Sequence, residues 1–248
     1  MQLKAFVRDV FSKRKRQKIT ILSAVFIVYV MLLSGIFAYF HSEDKVSNRL
    51  EAKNGSVTIQ EPNWDSDGQY KAKAVEPGMT IEKDPSGINN GQIDVFIRLK
   101  MTVKADSYTK KNDTYDSAFH YTEAERVSAI LAALKLANST PFLDGTSTNN
   151  PDYIMDTATD EDDKTVYYFY YTGGDAEQKM KAVKPNERTT DLFDHLDVPI
   201  YKKDYYGVFD QDFDIYLTAE GIPASNYPNG LTFAAAKGEN GAFAKQQQ

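Results

Sequence analysis

Between residues 93 and 103 the chain alternates with a period of two. Ile93, Val95, Ile97, Leu99, Met101 and Val103 share one parity, and Asp94, Arg98, Lys100 and Thr102 the other, with only Phe96 breaking the polar side. A helix would scatter these apolar positions around its circumference, whereas a strand gathers them on one face. The segment therefore predicts a long strand with one face in a core. Phe213, Ile215, Leu217 and Ala219, alternating with Asp214, Tyr216 and Thr218, predict a second. The run TVYYFYYT at 165–172 is β-branched and aromatic on both parities, which suits an internal strand covered on both faces. Shorter strands are predicted at 56–60, 69–75 and 152–155. Turn dipeptides at 54–55, 67–68, 77–78, 90–91 and 173–174 separate them. Many short strands between such turns argue for an antiparallel β-sandwich, jelly-roll or immunoglobulin-like, over a parallel α/β sheet.

One helical insertion interrupts this pattern. Thr122 and Glu125 form a capping-box sequence, and Val127, Ile130, Leu131 and Leu134 fall on one helical face. A helix is expected near 122–138, ended by Asn138 and Pro141. The polar stretches 144–163 and 176–190 read as excursions between strands. Residues 237–248, small and polar, are expected to be a flexible tail. The sandwich domain is thus expected over 56–236.

The N-terminus has a different chemistry. Residues 1–18 carry seven basic residues (Lys4, Arg8, Lys13, Arg14, Lys15, Arg16 and Lys18) against Asp9 alone, and residues 19–40 carry no charge. A 22-residue run is long enough to cross about 30 Å of hydrocarbon. It reads as a signal peptide over 1–38, with Ser34, Gly35 and Ala38 offering cleavage between Ala38 and Tyr39, or as an uncleaved anchor. In both readings residues from 39 onward lie outside the membrane, and the basic flank stays inside. Removing residues 1–38 takes away seven basic residues and one acidic one, leaving 22 basic and 34 acidic residues. The whole-chain charge of −6 thus conceals an exported body of net −12. Such a body repels phosphate, so no nucleic-acid partner is expected.

Three segments carry a family resemblance. The first is Gly35-Ile36-Phe37-Ala38-Tyr39-Phe40, followed by Asn54-Gly55-Ser56-Val57-Thr58-Ile59. The second is Glu76-Pro77-Gly78-Met79-Thr80-Ile81-Glu82-Lys83, leading through Ile88-Asn89-Asn90-Gly91 to the strand at 93–103. The third runs from Phe213 through Ala219-Glu220-Gly221-Ile222-Pro223-Ala224-Ser225-Asn226. Together they resemble the TasA/camelysin family of Gram-positive bacteria, with Gly221 and Pro223 departing from the usual Ala and Gln. The resemblance implies export through a SipW-type signal peptidase and a secreted jelly-roll-like subunit that polymerises into biofilm matrix fibres.

Physics supplies a route to such polymers. An exposed strand edge accepts a strand from a neighbouring molecule, and head-to-tail donation gives filaments. The extension 39–55 is the expected donor, with Tyr39, Phe40, Val46 and Leu50 as the side chains offered to pockets. Residues 56–60 read as the first strand of their own domain. The alternative is a membrane-anchored or wall-associated adhesive binding module.

Chemistry-bearing motifs are sparse. There is no cysteine, and His41, His120 and His195 lack the spacing of a zinc site, so a camelysin-type metallopeptidase activity is not expected. Asp65-Ser66-Asp67-Gly68 and Asp160-Glu161-Asp162-Asp163 gather carboxylates as calcium loops do, but read as turn-forming acids on a solvated face. The aromatics of 167–171 read as core rather than a carbohydrate groove. Lys83, Lys100 and Asn226 are conceivable partners in a Lys–Asn type of covalent crosslink beside a buried acid. No catalytic residue, cofactor or metal is nominated.

Overall fold

The structure, a computed structural model, describes residues 56–110, 119–200, 208–209, 211–238 and 240–244. The export segment and the extension, including Ala38, Tyr39, Phe40, Val46 and Leu50, lie outside the described residues. The described chain is mainly β, with several antiparallel sheets and no closed barrel. Its strands are β1 (Val57–Gln60), β2 (Thr80–Glu82), β3 (Ser86–Asn89), β4 (Val95–Ala105), β5 (Tyr108–Lys110), β6 (Phe119–Tyr121), β7 (Leu134–Lys135), β8 (Leu143–Asp144), β9 (Ser147–Thr148), β10 (Tyr153–Thr159), β11 (Thr165–Tyr171), β12 (Ala182–Val183), β13 (His195–Asp197) and β14 (Phe213–Pro223). The helices are α1 (Gln69–Lys71), α2 (Glu123–Ala133) and α3 (Phe233–Ala236).

The alternating segment is the axis of the fold. β4 pairs along all eleven residues with β14, from Ala105↔Phe213 to Val95↔Pro223. Its other side is shared by β11 and β12, and β10 closes that end of the sheet. Ile97, Leu99 and Met101 are fully buried, and on the same side they meet Phe169, Leu217 and Ala219. Against this face pack the β1–β3 ribbon, the β2–β13–β7 sheet and α2, through Val57, Ile59, Ile81, Leu196, Leu134 and Ile130. At Gly221 a Cβ would lie 2.7 Å from Val57 Cγ1, so the glycine lets β1 approach β14.

Four expectations need correction. Residues 69–75 are not a strand: helical turns run over Trp64–Gly68 and Gln69–Lys71, because Trp64, Ala72 and Val75 are buried at helical spacings. Gly68 is required there, since a Cβ would sit 2.1 Å from the carbonyl oxygen of Glu82. The helix expected near 122–138 ends at Ala133, because Leu134 and Lys135 pair with β13 and sheet pairing overrides helical periodicity. The polar excursion at 144–163 contains the seven-residue β10.

The fourth correction concerns the tail. Ala242 and Phe243 are buried, together with Phe96, Tyr170, Met180, Ile222, Leu231 and Ala236, in a second apolar cluster. This cluster covers the outer face of the sheet where β4 begins, so Phe96 breaks the polar alternation for a reason. The Arg98 guanidinium lies 4.4 Å from the Tyr168 ring and 4.6 Å from the Phe243 ring, and bonds Glu220 at 2.6 Å. A buried arginine stacked this way holds Phe243 against the sheet.

Candidate functional site

The outer edge of β10 is open among the described residues, where no strand pairs with it. Thr172 N donates to Asp152 O and Asp160 N to Lys164 O, which sets the phase of the antiparallel ladder between β10 and β11. Ile154, Asp156 and Ala158 therefore bond to β11, while the N–H and C=O groups of Met155, Thr157 and Thr159 point outward. No further backbone bond to those three is made among the described residues. The side chains of Thr157, Ala158 and Thr159 are exposed, and Met155 packs against the main core.

Beside this edge lies a cleft of about 640 Å³ between α2, the β8–β9 hairpin and the sheet. Val103, Val127, Leu131, Leu143 and Tyr167 give it an apolar floor. Tyr167 and Thr165 are the register partners of Thr157 and Thr159, so the cleft lies one strand in from the open edge. The rim is polar. Lys164 pairs with Glu123 across it, and that contact raises the lysine pKa.

The wall formed by α2 is locally encoded. Thr122 Oγ1 accepts from Glu125 N at 3.2 Å, and Glu125 Oε2 accepts from Thr122 N at 2.8 Å, completing the expected capping box. The bond from the Thr122 backbone lowers the Glu125 pKa. Arg126 is fully buried and donates to the carbonyls of Asp106, Val208, Gln211 and Asp212. Burial lowers its pKa, the Asp106 and Asp212 charges opposing that shift. Sequence reasoning passed over Arg126, whose only signal was a long cation beside the apolar stripe of a short helix.

The other nominated residues do not converge. His120 is exposed on β6 with Nδ1 2.7 Å from Thr109 Oγ1, and His195 lies on β13 with Nε2 3.6 Å from Asp197. His41 lies outside the described residues. No group of three or more His, Asp or Glu that could hold a metal occurs among the described residues. Asp65 and Asp67 sit on a helical turn, where Gln69 and Lys71 contact them. Asp160 instead accepts the N–H groups of Asp162 and Lys164. Of the 167–171 aromatics, Phe169, Tyr170 and Tyr171 are buried. Lys100 is half-buried on β4 and Asn226 is exposed, whereas Lys83 is buried against Glu61. No family model matches the chain, and neither a curated protein nor a solved structure matches it.

Proposed function

We propose that this chain is a secreted structural subunit of extracellular matrix fibres, assembled by donation of the N-terminal extension of one copy to the next. The observation that carries this reading is the open edge at Met155, Thr157 and Thr159 beside the apolar cleft. An added strand there would satisfy the outward N–H and C=O groups and lay alternate side chains beside those of Met155 and Thr157. Phe40, Val46 and Leu50 share one parity, so an extended donor presents all three on one face, with Tyr39 on the other. The two-layer packing around β4 favours a jelly-roll or immunoglobulin-like sandwich. The basic and apolar segment over 1–38 is the export signal, cut before Tyr39 by a peptidase of SipW type, and the matrix outside the cell is where the body acts. Membership of the TasA/camelysin family belongs to the same proposal.

Electron microscopy and sedimentation of the native extracellular product test it. Fibres whose subunits begin at Tyr39, and a monomeric product when residues 39–50 are deleted, are expected. A product that stays monomeric under all conditions, with the deletion changing nothing, overturns strand donation. An intact Met1 would favour the anchored binding module instead.

A further inference from the structure

Glu61 follows β1 and Lys83 follows β2, and both side chains are almost wholly buried, at 2% and 3% exposure. Lys83 Nζ lies 2.9 Å from one Glu61 carboxylate oxygen and 3.1 Å from the other. The same ammonium sits 4.4 Å from the centre of the Trp64 ring. The Trp64 indole N–H is buried with no hydrogen-bond partner among the described residues. The neighbouring carboxylate, Asp84, is occupied: it accepts the backbone N–H groups of Asn63 and Trp64.

We propose that Glu61 and Lys83 condense to an intramolecular amide in the folded protein. The ammonium first passes a proton to the carboxylate, giving a neutral amine and a carboxylic acid. The nitrogen lone pair then attacks Cδ of Glu61. Loss of the hydroxyl with a second proton from nitrogen breaks the C–O bond and releases one water. No oxidant, reductant or co-reactant is needed.

Two features favour the step. Holding an amine against a carboxyl replaces a bimolecular encounter, and well-oriented intramolecular pairs reach effective concentrations of about 10⁵–10⁸ M. Two charges buried under an aromatic wall are costly to keep, and the amide removes both together. The product would tie the β1–β3 ribbon to the β2–β13–β7 sheet in a chain without cysteine. Neither Lys100 nor Asn226 has such a site.

Intact mass spectrometry of the folded full chain, with the N-terminus of the product fixed by sequencing, is the test. The expected mass is lower than calculated by one water, about 18 Da, and a proteolytic map should recover one branched peptide joining Glu61 to Lys83. The same chain kept in denaturant from synthesis, and a Lys83→Met variant, should both show the full mass. Because Lys83→Met leaves a buried carboxylate without its cation and can fail to fold, the natural sequence decides. Full mass in the folded protein, or a water loss mapped to any other pair, overturns the amide. Either result leaves fibre assembly to be judged separately.

Discussion

Arg126 donates two hydrogen bonds, from Nε and Nη2, to the single carbonyl oxygen of Val208, at 3.3 and 2.8 Å. Those two residues join α2 to the segment entering β14, and further bonds from Nη2 reach Gln211 and Asp212. Replacing Arg126 by Met keeps most of the apolar volume but strips these carbonyls of their donor. Each buried acceptor left alone costs about 1–3 kcal/mol, so a loss of about 3 kcal/mol or more is expected in chemical denaturation. Lys should rescue little, since one ammonium cannot reproduce the planar fork.

Blocking the open edge separates assembly from folding. The N–H of Thr157 faces away from β11, so Thr157→Pro removes no ladder bond, whereas Asp156→Pro removes one. Thr157→Pro should give a folded protein with a near-unchanged melting temperature that forms no fibres by electron microscopy. Asp156→Pro should be destabilised. Normal fibres from Thr157→Pro would move the acceptor elsewhere.

The segment around Phe243 is a structural element. Phe243→Ala should cost about 3 kcal/mol, the usual scale for emptying a buried phenylalanine site, and removal of residues 237–248 should cost at least as much. Urea midpoints would show both. A truncation without effect would restore the expectation of a flexible tail.

Stability should fall in alkali. Burial raises the Tyr153 pKa far above the usual tyrosine value, against the opposing effect of its bond with Thr189. The folded value exceeds the unfolded one, so the contribution is fully present below about pH 10, the unfolded value, and is lost as pH rises above it. The slope is up to about 1.4 kcal/mol per pH unit. Melting temperatures followed from pH 8 upward should drop beyond about pH 10, and less steeply in Tyr153→Phe. That variant is already weaker at neutral pH by about 1 kcal/mol for the lost hydrogen bond.

What could be read from sequence was what is encoded locally. β4 and β14 announced themselves because each has one face in the same core, and the capping box because Thr122 and Glu125 stand three residues apart. β10 was only partly read: an edge strand carries Thr and Asp, which resemble a loop when its neighbours are unknown. The tail was misread because Phe243 is one aromatic among small polar residues, and its partners Arg98 and Tyr170 are far away in sequence. The acceptor edge depends on which strand ends the sheet, so local periodicity could not locate it. Lys83 was noticed as a lysine, but its acid, Glu61, emerged only when β1 and β2 were brought together.

The placement of β1 also has a mechanical meaning. Tension on the chain before Ser56 enters the fold through β1, whose four residues are paired antiparallel with β3 from Val57↔Asn89 to Gln60↔Ser86. A pull along the strand axis loads those four rungs together in shear instead of peeling them one by one. Immediately behind them Glu61 acts as a chock, because its buried side chain is held at Lys83 and resists any slide of the strand.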